Sequence, residues 1–325
     1  MAANRRRMWK VHLPDHGCAD DRWHSTWNTS AAFGTCAEKT GHRRVDNPES
    51  GETNDRVNDQ PGPLSAGGVS RKPTNTSLSH MSQPRLSLQL WSVRDDFRKD
   101  FAATVAAVAR IGYVGVELAG YGNLDVQGVK AALTSAKLVV SGMHVGRPAL
   151  SENMAGVIAD AKLLGARDII CPSWPKEEFT DRAACERIGE QLAHWGAMLR
   201  SQGIRFSFHN HAAEMTVFEG RTVFDWMLGA AEPRNLAAEP DVYWIQVGGQ
   251  NPAKFLRNHG ARCPLVHLKD ETELGLGPVD FRSVFDAIAP IGAAEWYVVE
   301  QEKYTRSPLE SVAACFEKLR AWGKV

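Results

Sequence analysis

Residues 206–214 read FSFHNHAAE, a short apolar, β-prone run that closes on His209 and His211. Three later segments repeat the arrangement: AAEPDVYW (237–244) carries Asp241, PLVHLKD (264–270) carries His267, and WYVVEQE (296–302) carries Glu300. Amphipathic helical stretches separate them. Strand ends that converge polar groups on one point are how a (β/α) barrel builds its site.

Working outward from these segments, the same alternation runs back to residue 86. LSLQLWSV, YVGVELAG, LVVSGMHVG, RDIICPS and IRFSFHN read as strands one to five. LAAEPDVYW, PLVHLKD and EWYVVEQE read as strands six to eight. Between them lie helical patterns such as DFRKDFAATVAAVARIG, ENMAGVIADAKLLG and DRAACERIGEQLAHWGAMLRSQG. Eight strand–helix units in about 240 residues predict a (β/α)8 TIM barrel over residues 85–325. A doubly wound open sheet would normally place a glycine-rich phosphate turn after strand one; SVRDDFRKD has no glycine there.

Residues 1–84 contrast with this. They show no helical or strand period, and residues 41–84 are rich in Gly, Pro, Asn, Asp and Ser. Such a composition buries too little apolar surface to offset chain ordering. We expect a disordered or irregular N-terminal extension, with Met81 as an alternative start. The chain has 325 residues and no formal net charge, which argues against nucleic acid or an anionic membrane as principal partner. No apolar run reaches about 18 residues, so no membrane span is expected. The arginines near the N-terminus precede no apolar segment, so no secretory signal is read and a cytoplasmic location is the default expectation. The six cysteines follow no CxxC spacing, and the four at 171, 185, 263 and 315 read as reduced, buried thiols.

Placed on four consecutive strands, His209, Asp241, His267 and Glu300 form a mixed nitrogen and oxygen donor set on one side of the barrel mouth. Such a set suits Mn²⁺, Zn²⁺, Fe²⁺ or Co²⁺ more than Ca²⁺. A lone strand-end histidine is more often a structural hydrogen bonder, and a lone Asp caps the following helix. The coincidence of four is what carries the metal reading. From the first half of the barrel, Glu117 and His144 also end strands. Either would bind sugar hydroxyls or carry a proton, while a salt bridge inside the barrel is the plain alternative for Glu117. Arg94 is a candidate for an anionic group and Trp174 for an aromatic wall against a sugar face. Trp244 is read as packing. Lys269 would stabilise an enolate, and Asp270 would orient it or cap the next loop.

QLWSVRDDF, GYVGVELAG, SGMHVG, FHNHAAE, EPDVYWIQVGGQNP, VHLKD and VVEQE together resemble the xylose-isomerase-like TIM-barrel superfamily, over residues 86–323. The superfamily holds sugar (phosphate) isomerases and epimerases, inosose dehydratases and 3-keto-glycoside lyases. The resemblance implies one divalent metal, with Mn²⁺ foremost and Zn²⁺, Co²⁺, Fe²⁺ or Mg²⁺ as alternatives. It also implies a carbohydrate or cyclitol substrate, and leaves a homo-oligomer open. Its ligands would be a carboxylate from strand five, then Asp241, His267 and Glu300. This chain departs at strand five, where His209 stands in place of the glutamate of the epimerases. Either His209 ligates or Glu214, five residues on, folds back; Glu214 is otherwise a substrate-side candidate.

The implied chemistry is proton abstraction beside a carbonyl, with His211 or Glu300 as base and Lys269 or His144 assisting. Reprotonation gives an isomer or epimer, and loss of a β-leaving group gives a dehydratase or glycoside lyase. A related metal nuclease would need a larger trinuclear ligand set and basic loops, and the sequence shows neither. A catalytically inactive barrel serving as a binding subunit is the remaining alternative.

Overall fold

The computed structural model describes residues 83–325. The irregular character expected of the extension falls on residues outside this range, apart from its last two positions. Eight parallel strands make one sheet. They are β1 (Arg85–Gln89), β2 (Gly115–Leu118), β3 (Val139–His144), β4 (Asp168–Cys171), β5 (Arg205–His209), β6 (Ala237–Glu239), β7 (Leu265–Leu268) and β8 (Trp296–Val299). Neighbours run β6-β5-β4-β3-β2-β1-β8-β7. The remaining seam, between β6 and β7, is spanned by one parallel bridge, Asp241 opposite His267, with His267 N donating to Pro240 O at 2.9 Å. The eight strands thus form a nearly closed barrel, as the alternation of elements predicts.

Among the described residues eleven α-helices surround it: α1 (Arg94–Lys99), α2 (Phe101–Ile111), α3 (Val126–Ala136), α4 (Arg147–Glu152), α5 (Met154–Leu164), α6 (Arg182–Arg200), α7 (Val223–Gly229), α8 (Val242–Val247), α9 (Pro252–His259), α10 (Phe281–Ile288) and α11 (Pro308–Ala321). Their starts follow from side-chain chemistry. Asp100, Asp125, Asp181, Asp241, Asn251 and Asp280 each turn a side-chain oxygen onto an N–H of the first turn, satisfying a donor with no intrahelical partner. Gly165, at φ 76, ends α5 in the left-handed conformation.

The period of two divides each strand between two environments. Val266, Leu268, Tyr297 and Val299 join the large apolar core under the helices. Leu265, Trp296 and Val298 form a separate apolar cluster. The alternate positions farther along β7 and β8 are His267, Lys269 and Glu300, so the barrel interior changes from apolar to polar toward its C-terminal end.

Several boundaries differ from the sequence reading. LAAEPDVYW was expected as one strand, but the strand stops at Glu239 and Val242 begins a helix. Asp241 Oδ1 accepts from Trp244 N at 2.8 Å, and that cap outweighs the β preference of VYW. The first strand ends at Gln89, whose side chain accepts from Trp91 N at 3.0 Å and opens a 3-10 turn. Arg94 therefore starts a helix instead of lying in a loop. The single helix expected over residues 96–112 is two, broken where Asp100 is extended and caps α2. The four described cysteines are buried and free, as read.

Candidate metal centre at the barrel mouth

His209, Asp241, His267 and Glu300 each offer one ligand atom, and these atoms lie within 4.8 Å of one another. All four residues are buried. The set is assembled by β5, the end of β6, β7 and the end of β8. Asp241 is fixed from both sides: its N–H donates to Asn210 Oδ1 at 3.0 Å while its Oδ1 caps α8. Its Oδ2 is buried without a hydrogen-bond partner, 4.0 Å from His267 Nδ1. His267 Nδ1 is 3.2 Å from Glu300 Oε2, and Nε2 is 2.8 Å from Glu117 Oε1.

Electrostatics sort the roles. Burial disfavours the Glu300 carboxylate, but Lys269 and His267 outweigh it and hold Glu300 well below the usual range. Burial, together with the neighbouring His267 and His211, keeps His209 neutral. Burial and the Glu300 charge push Asp241 up to about 6 against the opposing pull of Lys269. Burial works against a charged His267, yet Glu239 and Glu117 raise it well above the ordinary value. As a ligand His267 would therefore release a proton. Burial also opposes the Lys269 charge; Glu300 and Glu302 more than restore it.

The residues fit a divalent cation. An acceptor such as Asp241 Oδ2 is costly to bury unless something compensates it, and His209 Nδ1 is likewise buried without a hydrogen-bond partner. Imidazole together with carboxylate is a donor set for first-row divalent ions.

The other sequence candidates are distributed as follows. His211 is half-buried beside the site, its ring 5.1 Å from that of His209 and 5.6 Å from that of Trp244. Lys269 Nζ lies 3.5 Å from Glu300 Oε2, 3.0 Å from Glu302 Oε2 and 4.8 Å above the Trp244 ring. Trp244, expected as packing, thus stands between two candidate catalytic groups, and its indole N–H is enclosed without a hydrogen-bond partner. Glu214 is buried, and its Oε2 accepts from His211 N at 2.9 Å, closing the turn after β5; it is outside the four-residue group. Arg94 Nη1 donates to Tyr304 Oη at 3.0 Å and Trp91 O at 3.3 Å. Trp174 packs on Arg147 and Trp195, and its indole N–H donates to Glu178 at 2.7 Å. Asp270 organises the loop after β7, accepting from the N–H groups of Glu271, Gly275, Gly277 and Val279.

Glu117 and His144 lie at the C-terminal ends of β2 and β3 and are buried, with His144 Nε2 2.9 Å from Glu117 Oε1. Sequence reasoning missed their partner, Glu239. Its Oε2 is 3.0 Å from His144 Nε2 and 3.3 Å from His267 Nε2. The signal was present: Glu239 precedes Asp241 by two positions, the strand period. Burial raises the Glu239 carboxyl and Glu117 adds to it, while His144 and His267 overcome burial and lower Glu117.

A family model described as xylose isomerase-like TIM barrel matches residues 105–322. The chain belongs to that family. Among solved structures, a sugar phosphate isomerase/epimerase from Parabacteroides distasonis ATCC 8503 superposes with a TM-score of 0.69 at 22% identity, covering 78% of this chain and 100% of that one. The 3-keto-D-glucoside 4-epimerase of E. coli gives 0.56 at 14% identity, over 74% and 100% of the two chains. A protein of Bacillus anthracis described as the probable 3-DHS dehydratase gives 0.57 at 13% identity, over 73% and 98%. These likenesses establish the fold. A comparison with curated proteins finds no match.

Proposed function

We propose that this barrel is a divalent-metal-dependent enzyme that removes a proton beside the carbonyl of a sugar, keto-sugar or cyclitol, with isomerisation or epimerisation as the outcome. The observation that carries it is the convergence of His209, Asp241, His267 and Glu300 ligand atoms within 4.8 Å at the mouth. Asp241, His267 and Glu300 would hold the ion, completed by His209 or Glu214. A bound divalent ion would polarise a carbonyl oxygen and acidify the neighbouring C–H.

The chain's own groups then divide the work. His211 is the half-buried imidazole at the rim, placed to take the proton at a ring nitrogen. Glu300, the other base considered, is held ionised and takes up a proton less readily, which suits it to anchoring. Lys269 is held cationic, so its Nζ donates to the oxygen on which charge develops. Trp244 walls the space between them. Family membership and the fold of sugar isomerases and epimerases support this reading.

Solvent exchange tests it. Ketoses, inososes and 3-keto-glycosides are incubated in D₂O with protein and Mn²⁺ and followed by NMR. Deuterium beside the carbonyl, with hydroxyls and carbon skeleton retained, is expected. His211→Ala should slow exchange about 100-fold or more; unchanged exchange would remove His211 from the role of base. Loss of water or aglycone would identify the lyase or dehydratase alternative. Purified protein that takes up no metal even when supplemented would favour the inactive binding subunit.

A further inference from the structure

We propose that Arg94 holds a carboxylate carried by the substrate, so that the barrel acts on an acidic sugar or cyclitol of the uronate kind. This rests on the function proposed above and narrows its substrate class. Arg94 is half-buried and stands between the loops that follow β1 and β8. Its Nη1 donates to Trp91 O at 3.3 Å and to Tyr304 Oη at 3.0 Å, and its guanidinium carbon lies 5.2 Å from the centre of the Trp91 ring. Tyr304 Oη in turn lies 2.9 Å from Ser92 O and 3.2 Å from Gln301 O, and Gln301 adjoins Glu300. Gln89, which ends β1, donates from Nε2 to Glu117 Oε1 at 2.7 Å, the same oxygen that is 2.8 Å from His267 Nε2. Both loops thus border the metal centre, one through Gln89 and the other through Glu300.

The bonds to Trp91 O and Tyr304 Oη use both N–H groups of Nη1. Nε and Nη2, the side-on edge of the guanidinium, make no hydrogen bond within the described residues, and neither atom is enclosed. No carboxylate among the described residues pairs with Arg94, whereas Lys269 has Glu300 and Glu302. A fixed guanidinium with an open two-donor edge and no anion is prepared for a planar, singly charged carboxylate, which accepts two parallel N–H bonds. A phosphate dianion is a poorer match. Asp95 and Asp96 follow Arg94 directly, and the turn SVRDDFRKD offers no glycine to cradle a phosphate. Arg98, the other guanidinium 5.2 Å from the Trp91 ring centre, is exposed, where solvent screens it.

Matched ligands test this: D-ketohexoses as the neutral sugar, oxidised to a carboxylate at C6, and phosphorylated at C6. Binding to the full chain supplemented with Mn²⁺ is measured by calorimetry, and D₂O exchange beside the carbonyl by NMR. The uronates are expected to bind at least about 10-fold more tightly than the neutral sugars and the phosphates. Arg94→Gln should erase that preference. Arg94→Lys, which keeps the charge and loses the fork, should retain only part of it. Folding is checked by circular dichroism, and the lysine variant decides if the glutamine variant misfolds. No binding of the uronates, equal binding of neutral and acidic sugars, a preference for the phosphates, or a full preference that survives in a folded variant would overturn the carboxylate site. Uronates that bind through Arg94 but exchange no deuterium would overturn the proton-transfer reading and leave the site standing. Exchange in the neutral sugars alone would do the reverse.

Discussion

Asp241 divides its two oxygens between two tasks. Oδ1 caps α8 through Trp244 N, and Oδ2 is left buried and unpartnered toward His267. Asparagine is as good an N-cap as aspartate, so Asp241→Asn keeps the cap and removes the charge. The variant is expected to fold by circular dichroism and to lose the mouth metal; full metal occupancy would exclude Asp241 as a ligand. His267→Ala is a harsher change, because its ring faces Glu117, Glu239 and Glu300 together. Removing it takes one cationic partner from each of three buried carboxylates, at a cost of about 3 kcal/mol, read by denaturant unfolding. His209→Ala beside Glu214→Gln separates the two candidates for the remaining mouth ligand. Both residues were visible in HNHAAE, but which atom faces the centre depends on how the chain turns after β5, and that turn is set by the Glu214 bond to His211 N.

At the scale of elements, α7 is held by a reciprocal cap between Thr222 and Asp225. Burial opposes the Asp225 charge, but the His259 ring at 2.7 Å and the Thr222 bonds outweigh it and bring the carboxyl from 3.8 to about 2. Folding therefore depresses this pKa. The stabilisation is complete above about pH 4 and is lost as pH falls toward 2. Asp225→Asn is expected to cost about 2 kcal/mol at pH 7, allowing for partial exposure. The gap between variant and parent should close on acidification below pH 4; a constant gap would place the effect elsewhere. Packing of α6 depends on a different feature. A β-carbon at Gly196 would meet Asn235 O, and one at Gly189 would meet Met227 O. Alanine gains about 1 kcal/mol of helix propensity. The backbone collision costs more, so Gly196→Ala should be destabilising by roughly 2 kcal/mol net, measured by urea unfolding. Neither glycine announces this in the sequence, where both look like weak points in an otherwise good helix.

For the whole molecule, among the described residues every barrel strand and the buried members of the large apolar core lie within residues 85–319. A chain started at Gln83 is therefore expected to unfold in one cooperative transition with a melting temperature within a few degrees of the full chain. A broad or early transition would show that residues before Gln83 contribute to the core. The same closure brings the distant site residues together: Glu117 and His267 are 150 positions apart and 2.8 Å distant.

The sequence by itself determined the eight strand–helix alternations, the strand-end positions of His209, His267 and Glu300, and the family resemblance. Periodicity is a local property, and a strand end is where polar residues follow an apolar run. Tertiary structure alone decided the rest. It made Asp241 both a helix cap and the bridge across the β6–β7 seam, and it buried Glu117 and His144 against each other. It also drew in Glu239, whose neighbours in sequence are Ala238 and Pro240 but whose neighbours in space come from β3, β5 and β7. The reason is geometric: a barrel converts positions on separate strands into contacts through closure, strand tilt and register, which are set by pairing across the whole sheet and not by any one segment.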